Sequence, residues 1–255
     1  LRGDGNSGKG TLIKTIAGIL GDYAKTVSIE AFLEQRNPRH SQEIAKLRNA
    51  RFVHCGEPTE GCRWNEGLIK LLSGGDTWVA HRMRRDDEEF LPTAKIWVHG
   101  NIVPSLRDVG ESMRRRLHLI EYAESIPEDQ RDYQLKEKLR VEYPAILAHL
   151  IRACGEFLAY GNIGRPDQVT AAVSDYLAAE DTFGAWVAAR IIRQQDAFAL
   201  GAELFKDYHE WASLEGESQL SRKRFSQRMQ KHGFRTINRG ARGYLDCRLR
   251  SIADQ

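Results

Sequence analysis

A short segment near the start of the chain constrains this sequence more than any other feature. Gly3-Asp4-Gly5-Asn6-Ser7-Gly8-Lys9 matches the pattern G-x-x-x-x-G-K of phosphate-binding loops. Such a loop must lead into a helix, because backbone N–H groups and the positive end of the helix dipole converge there on phosphate oxygens. The sequence therefore predicts a nucleoside phosphate site with Lys9 on the β and γ phosphates. The helix is indicated by apolar residues at helical spacing, namely Leu12, Ile13, Ile16, Ile19 and Leu20.

Two features of this loop differ from the usual pattern. Gly10 follows Lys9, where a Ser or Thr hydroxyl ordinarily binds Mg²⁺, so Thr11 carries the nearest hydroxyl and would reach the metal by a shifted path. Loops of this kind follow a buried strand, yet only Leu1 and Arg2 stand before Gly3, and the chain does not begin with Met. We therefore expect an N-terminally truncated fragment that lacks the first strand of its sheet.

The composition indicates a mildly basic globular protein. The 255 residues are 41% hydrophobic and 29% charged with a net charge of +3, which is enough for one large domain or two small ones. No apolar run reaches the length of about 18 residues that a membrane helix needs, so we expect no membrane partner. Widely spaced cysteines without a C-x-x-C pair predict no structural metal, no disulfide framework and a reducing, cytoplasmic location; they are Cys55, Cys62, Cys154 and Cys247.

Strand and helix patterns alternate in residues 1–125, which predicts an α/β fold with a mostly parallel sheet. We expect buried strands at Phe52–Cys55, Ile96–Val98 and Leu117–Ile120. The weak alternation of Thr77–Phe90 predicts a β-hairpin.

Residues 126–195 have a helical pattern, including one apolar stripe at helical spacing in the segment from Ile146 to Leu158. The aromatic residues Phe183 and Trp186 lie on a further predicted helix that reaches Ile191, and we expect them in the core. Residues 196–255 read as helix, helix and hairpin, which is the layout of a winged-helix DNA-binding domain.

The C-terminal segment is also basic, since between Ser218 and Arg250 many Lys and Arg residues accompany a single acid, Asp246. Positive charge on one helix and one turn predicts contacts to DNA phosphates whose affinity falls with salt. The alternative is a solvated basic face. The candidate DNA-binding residues here are Arg222, Lys223, Arg224, Arg228, Arg239 and Arg242.

Polar side chains follow two of the predicted strands. Glu57 comes just after Phe52–Cys55, where a carboxylate can hold Mg²⁺ and polarise water, and Glu60 is close behind it. Asn101 follows Ile96–Val98 and suits a residue that orients the attacking water or contacts the γ-phosphate. The alternatives are solvated loop acids and a turn asparagine. We favour function, because three strand ends would then converge on one site.

The run Arg114-Arg115-Arg116 precedes the third predicted strand. Arg115 or Arg116, inserted into a neighbouring subunit's site, can stabilise charge on the transferring phosphate as arginine fingers do. The alternative is a basic surface cluster.

Taken together, these motifs resemble the helicase part of phage and plasmid primase-helicases, which are superfamily III helicases within the AAA+ ATPases. The resemblance spans roughly residues 1–190, and the combination of motifs is specific although each alone is weak. The matching segments are Gly3–Thr11, Leu47–Val53, Glu57–Gly61, Asn65-Glu66, Gly74–Thr77, Lys95–Asn101, Arg115–Leu117, Ile126–Glu128, Leu135–Leu139, Pro144–Leu147 and Glu180–Thr182.

The resemblance implies a homo-hexameric helicase that uses ATP and Mg²⁺ and acts on single-stranded DNA and on origin or duplex DNA in a bacterial host's cytoplasm. Gly3–Thr11 would be the Walker A loop, Glu57 and Glu60 the Walker B acids, and Asn101 sensor 1. The hairpin Thr77–Phe90 would project into a central channel, although the acids that follow its basic residues oppose a grip on phosphates. The residues implied to grip DNA there are His81, Arg82, Arg84 and Arg85.

Two other functions are consistent with parts of the sequence. The run Gly8-Lys9-Gly10-Thr11 is similar to the loop of adenylate kinases, and phosphoryl transfer to AMP without a response to DNA would favour a nucleotide kinase. A DNA-binding or regulatory protein with a decayed ATPase would explain Gly10 and the basic C-terminal segment, and would bind DNA without hydrolysing ATP.

Overall fold

The computed structural model describes residues 1–35, 41–80, 88–107, 109–162, 164–217 and 219–251, together with Asp254. The chain divides into two compact units, Leu1–Leu177 and Ala178–Gln255. Among the described residues, no helix combines the length and the apolar character needed to cross a membrane.

The first unit mixes strands with helices, as the sequence predicts. Its strands are β1 (Arg2–Gly3), β2 (Ala24–Thr26), β3 (Phe52–Cys55), β4 (Trp78–Ala80), β5 (Glu88–Phe90), β6 (Lys95–Val98) and β7 (Glu121–Tyr122). The helices are α1 (Lys9–Leu20), α2 (Ser41–Ala45), α3 (Glu66–Leu72), α4 (Glu111–Arg114), α5 (Leu135–Val141), α6 (Tyr143–Tyr160) and α7 (Asp167–Ala179), the last of which ends just past the division between the units.

The strands of this unit other than β4 and β5 pair in parallel. Strand β3 pairs with β2 on one side and with β6 on the other, and β1 pairs with β7. The two ladders are joined after β6, where Gly3 N–H donates to the Gly100 carbonyl at 3.3 Å and Gly100 N–H donates to the Leu1 carbonyl at 3.1 Å. The resulting order is β2-β3-β6-β1-β7, which places the strand before the phosphate loop next to the segment that carries Asn101.

The predicted strands are confirmed at Phe52–Cys55 and, within Lys95–Val98, at Ile96–Val98. The prediction of a strand at Leu117–Ile120 is wrong, because Leu117 N–H still bonds the Met113 carbonyl in the turn that ends α4 and the strand begins at Glu121. We expected no strand before the loop, yet Arg2–Gly3 form a two-residue strand.

The predicted hairpin at Thr77–Phe90 is confirmed at its base, where β4 and β5 pair antiparallel with Trp78 opposite Phe90. Its centre lies outside the described residues, and so do His81, Arg82, Arg84 and Arg85.

One apolar core holds the first unit together. Val53 and Cys55 of β3 are fully buried, and α7 contributes Val173, Tyr176 and Leu177. The Tyr176 hydroxyl donates to the Pro104 carbonyl, which ties α7 to the segment after β6. The apolar stripe from Ile146 to Leu158 does form a helix, but none of the residues of α6 is buried in this structure.

The second unit has the element order α8 (Thr182–Arg190), β8 (Ile191–Leu200), α9 (Gly201–Leu214), α10 (Arg222–Lys231), β9 (Thr236–Asn238) and β10 (Arg242–Leu249). The strands form an antiparallel sheet in the order β8-β10-β9. Phe183 and Trp186 lie in the core with 2% and 0% exposure, as predicted, with ring centroids 5.2 Å apart.

The prediction that the helical segment continues through Ile191 to residue 195 is wrong. Helix α8 ends at Arg190, and Ile191 is already extended, with φ −108° and ψ 134°. Ile191 pairs with Leu249 of β10 and is buried, so the pairing and the core of this unit outweigh the local helical pattern. The expected boundary between residues 195 and 196 consequently falls inside β8.

Candidate functional site

The phosphate loop lies between β1 and α1 and leaves the start of the helix open. Gly8 caps α1 with φ 90°, a left-handed conformation that favours glycine, and no side chain caps the helix. The first helical hydrogen bond runs from Leu12 N–H to the Gly8 carbonyl at 3.0 Å. The N–H groups of Lys9, Gly10 and Thr11 therefore precede the helical ladder, and this open N-terminus suits an anion.

Lys9 is folded into the loop and is 7% exposed. Its ammonium donates to the Gly3 carbonyl at 2.6 Å, to the Asp4 carbonyl at 2.7 Å and to Ser7 Oγ at 2.9 Å. Ser7 in turn donates to the Asp4 carbonyl at 2.8 Å. All three ammonium protons have acceptors, but these acceptors are neutral, so the positive charge stays available to a phosphate.

The segment after β7 supports the other side of the loop. Ser125 Oγ donates to the Gly5 carbonyl at 2.6 Å. Ile126 N–H donates to the carbonyl of Asn6 at 3.0 Å, and Asn6 itself has φ 61°. The loop is thus held through two of its backbone carbonyls, by contacts that do not involve the helix N-terminus.

Glu57 and Asn101 lie together beside the loop strand. Glu57 Oε1 accepts a hydrogen bond from Asn101 N–H at 2.7 Å. Gly100 is bonded to both Leu1 and Gly3 through its backbone, and a Cβ at Gly100 would lie 2.8 Å from Glu57 Cγ. The structure therefore brings together the ends of β1, β3 and β6, and with them Glu57, Asn101 and the phosphate loop.

Glu60 is not part of this group. It is exposed in a turn that Cys62 N–H closes on the Thr59 carbonyl at 3.4 Å. Within the described residues, no hydrogen bond joins Glu60 to Glu57, to Asn101 or to the loop.

The two candidate arginine fingers at the end of α4, Arg115 and Arg116, differ in the contacts and exposure of their side chains. Arg116 is bonded within the unit, with Nε donating to Ser73 Oγ at 2.8 Å and Nη1 donating to the Ser112 carbonyl at 2.7 Å. The Arg115 side chain is exposed. Of the two candidate fingers, Arg115 has the side chain that faces solvent.

Sequence reasoning missed the residue that holds this run in place. Arg165 donates from Nη1 to the Arg114 carbonyl at 3.1 Å and from Nη2 to the Arg115 carbonyl at 2.9 Å. The same Nη2 lies 3.4 Å from His118 Nε2, and partial burial together with the Arg165 charge lowers the pKa of His118. No local motif marks Arg165, because its partners are backbone carbonyls distant in sequence.

The candidate DNA-binding residues of the second unit lie on α10, in the turn before β10 and at the first position of β10. Ser221 caps α10, accepting from Arg224 N–H at 3.4 Å. The guanidinium of Arg222 lies 5.0 Å from the Phe205 ring centroid, and that of Arg239 lies 6.0 Å from the Phe198 centroid. Lys223 and Arg224 are exposed, Arg228 is half-buried, and Arg242 Nη2 donates to Ser226 Oγ at 3.2 Å.

The residues at the loop fit the phosphates of a nucleotide and a magnesium ion. The open N-terminus of α1 and the Lys9 ammonium supply donors for phosphate oxygens, and Glu57 supplies a carboxylate of the kind that Mg²⁺ uses alongside phosphate and water. Thr11 is half-buried in the first turn of α1. The described residues contain no cluster of three or more His, Cys, Asp or Glu suited to a metal ion.

No family model matches the sequence. The chain is 25% identical over 233 residues to a protein of Acanthamoeba polyphaga mimivirus named "Putative helicase L207/L206". The similarity covers 83% of this chain but 24% of the viral protein, so the chain spans about a quarter of that relative's length.

Proposed function

We propose that this chain is the ATP-hydrolysing part of a helicase-type motor that acts on nucleic acid. The proposal depends mainly on the residues that meet at Gly100. The backbone of Gly100 is hydrogen-bonded to the strand that leads into the phosphate loop. On its other side Gly100 lies against Glu57, which accepts a hydrogen bond from Asn101. Similarity to a viral protein with helicase in its name supports nucleic acid as the partner.

The strand order supports a P-loop core of the AAA+ type. In β2-β3-β6-β1-β7, the strand of the loop lies between β6 and β7, and β3, which leads to Glu57, is the next strand beyond β6. The carboxyl ends of these parallel strands meet at one edge, which is where open α/β sheets bind ligands.

Each residue of the site has a defined task in this proposal. The N–H groups of Lys9, Gly10 and Thr11 donate hydrogen bonds to phosphate oxygens. The Lys9 ammonium gives up its hydrogen bonds to the loop carbonyls and donates to the phosphate instead. Mg²⁺, when bound, neutralises charge on the phosphates, with Glu57 as its carboxylate ligand and Thr11 as the nearest hydroxyl. Glu57 and the Asn101 side chain orient the attacking water. Any contribution of Glu60 comes from outside the group that Glu57 and Asn101 form with the phosphate loop.

The finer assignments belong to the same proposal. Arg115, rather than the internally bonded Arg116, reaches the site of a neighbouring copy in a homo-hexamer and stabilises the transferring phosphate. His81, Arg82, Arg84 and Arg85, which follow β4 in the sequence and lie outside the described residues, contact single-stranded DNA in this proposal. The second unit is a winged helix, which its order of helix, strand, helix, helix and two strands supports. Such a motor belongs to the superfamily III primase-helicases of phages and plasmids in a bacterial cytoplasm.

The test is ATP hydrolysis by the full chain with and without single-stranded DNA, comparing the parent with Lys9→Ala. Lys14→Ala is the matched control, because Lys14 is exposed on the same helix. We expect hydrolysis that DNA stimulates, that Lys9→Ala abolishes and that Lys14→Ala retains. Equal hydrolysis by parent and Lys9→Ala would exclude the loop as the active site, and DNA binding without hydrolysis would favour the non-catalytic alternative. Phosphoryl transfer to AMP, unaffected by DNA, would favour a nucleotide kinase.

A further inference from the structure

Helix α6 carries a row of apolar side chains that its own unit does not bury. Leu147, Ile151 and Leu158 are 37%, 63% and 74% exposed, and Cys154 is exposed between them. The spacing of four, three and four residues places these side chains in one line along the helix, as at the contact positions of a coiled coil. We call this row the exposed α6 face. Contiguous apolar surface of this kind marks a site of interaction.

The start of α6 is fixed to its unit on a different side of the helix. Tyr143, Ile146 and Leu150 are half-buried, and a Cβ at Gly18 of α1 would collide with the Tyr143 hydroxyl. At about 100° per residue, these residues lie roughly a quarter-turn around the helix from the exposed α6 face. Every side chain in residues 151–160 is exposed. The packing of α6 on α1 therefore holds the helix in place and leaves the exposed α6 face outside that contact.

The charged and imidazole side chains of α6 lie on the opposite side. His149, Arg152 and Glu156 are centred about 180° from the exposed α6 face. The face itself thus carries no charge that would bind a phosphate or a carboxylate. A helix that lies on a membrane is rich in Lys and Arg on its polar side, whereas the polar side of α6 has one Arg and one Glu. The partner that fits this face is an apolar surface of a protein.

A second copy of the same face has the pattern that such a partner needs. The spacing of four, three and four residues reads the same from either end, so an antiparallel α6 presents an identical row. Leu147 then lies opposite Leu158 of the second copy, and Ile151 lies opposite Cys154 of the second copy. Every position of the row meets an apolar side chain, since a free cysteine behaves as a small hydrophobic residue. The antiparallel arrangement also sets the two helix dipoles against each other favourably.

We propose that two copies of this chain bind each other through the exposed α6 face, as an antiparallel pair of helices related by a two-fold axis. Such a contact is isologous, because the same surface is used on both copies. It goes beyond the ring of the proposed function, since a ring joins two different surfaces of each copy. It depends neither on Lys9 nor on a nucleotide.

The apolar area of this face sets the strength of the contact. The exposed parts of Leu147, Ile151, Phe157 and Leu158 offer roughly 300 Å² per copy, taking about 150 Å² for a whole large apolar side chain. Interfaces are somewhat over half apolar, so this area corresponds to roughly 1,000 Å² buried in total, which is the lower limit for a specific complex. We therefore expect a reversible dimer with a micromolar dissociation constant.

The first test is sedimentation equilibrium of the full chain over a range of concentrations, with a reducing agent and without nucleotide. The variant is Leu158→Asp, and Leu214→Asp on α9 is its matched control, because Leu214 is 79% exposed. The parent and Leu214→Asp should dimerise alike, whereas Leu158→Asp should raise the dissociation constant about ten-fold or more, since it places a carboxylate against apolar side chains. Arg115→Ala, which alters the proposed ring contact, should dimerise as the parent does.

The second test determines the direction of the pair with a short bismaleimide that links cysteines. In the antiparallel pair the two Cys154 residues lie about 5 Å apart along the helix axis, so the parent should be cross-linked there. In Cys154→Ser/Leu158→Cys the two new thiols lie about 16 Å apart along the axis and should not be cross-linked. A parallel pair would place them side by side. Both proteins are treated at a concentration at which sedimentation shows them to be dimeric, and peptide mass spectrometry identifies the linked residues.

Four results would overturn the inference. The parent could stay monomeric at every concentration, or Leu158→Asp could dimerise as tightly as the parent does. Cross-linking of the double variant as efficient as that of the parent would exclude the antiparallel pair. A lower unfolding temperature for Leu158→Asp than for Leu214→Asp in dilute, monomeric protein would show that another part of the same chain covers the face.

Discussion

Glu57 Oε1 accepts a hydrogen bond from Asn101 N–H at 2.7 Å, which couples the ends of two neighbouring parallel strands beside the phosphate loop. The contact uses one carboxylate oxygen of an exposed side chain. The other oxygen stays available for water or a metal ion. Asn101 thus fixes the orientation of Glu57 through its backbone, and its own amide remains available for a ligand.

This relationship makes Glu57→Gln an informative change. The amide oxygen of glutamine still accepts from Asn101 N–H, so the fold and ATP binding should persist. The catalytic rate should fall about 10²–10⁴-fold, because the amide cannot take a proton from water. The measurements are kcat for ATP hydrolysis and, separately, the affinity for ATP by fluorescence titration.

Glu60→Gln is the matched control for that experiment, since Glu60 is exposed in the next turn and lies outside the group. We expect it to retain most of the activity. A Glu60→Gln variant as inactive as Glu57→Gln would mean that the two acids share the catalytic task.

A substitution at Gly10 would test how the site binds Mg²⁺. A Cβ at Gly10 would meet nothing within 4 Å, so a hydroxyl can be placed after Lys9 without a clash. Gly10→Ser should lower the Mg²⁺ concentration for half-maximal hydrolysis several-fold, because a hydroxyl at this position ordinarily binds the ion. The measurement is a Mg²⁺ titration of the ATPase rate.

Gly10→Ala separates this effect from helix stability. Replacing glycine with alanine in a helix raises stability by about 0.5–1 kcal/mol, and serine gains less, whereas only serine supplies the hydroxyl. If both variants shift the Mg²⁺ dependence equally, the hydroxyl is not responsible.

Sequence reasoning was most successful where a motif dictates local geometry. The helix after Lys9 and the strand before Glu57 were predicted, since the loop demands the one and a short apolar run the other. It failed where pairing between distant strands determines the secondary structure. At Ile191 the sequence pattern is helical, but the residue forms a strand that pairs with Leu249. The contacts of Arg165 and the close approach at Gly100 could not be predicted either, because each joins groups that are far apart in the chain.

Arg165 should prove to be a positioning residue for the arginine run. Arg165→Ala removes two charged hydrogen bonds to the Arg114 and Arg115 carbonyls, and each such bond contributes about 1.5–3 kcal/mol where it is well shielded. Because Arg165 is only half-buried, we expect a loss of about 1–3 kcal/mol in the free energy of unfolding, measured by urea denaturation. Arg152→Ala, an exposed change on α6, should cost less than about 0.5 kcal/mol. An unchanged unfolding curve for Arg165→Ala would show that the contacts do not hold the run.

Cys55 and Cys154 should differ sharply in reactivity. Burial, with a smaller contribution from the charges of Glu30 and Glu43, raises the pKa of the Cys55 thiol from 9.0 to about 12, whereas Cys154 is exposed. The pKa of the thiol is 9.0 in the unfolded chain and about 12 in the folded protein. The neutral Cys55 thiol therefore stabilises the fold fully below pH 9.0, and this stabilisation is lost as the pH rises from 9.0 to about 12. At pH 8 a thiol reagent should therefore modify Cys154 at once and Cys55 only after denaturant is added, as peptide mass spectrometry would establish. Rapid modification of Cys55 in the folded protein would contradict its place in the core.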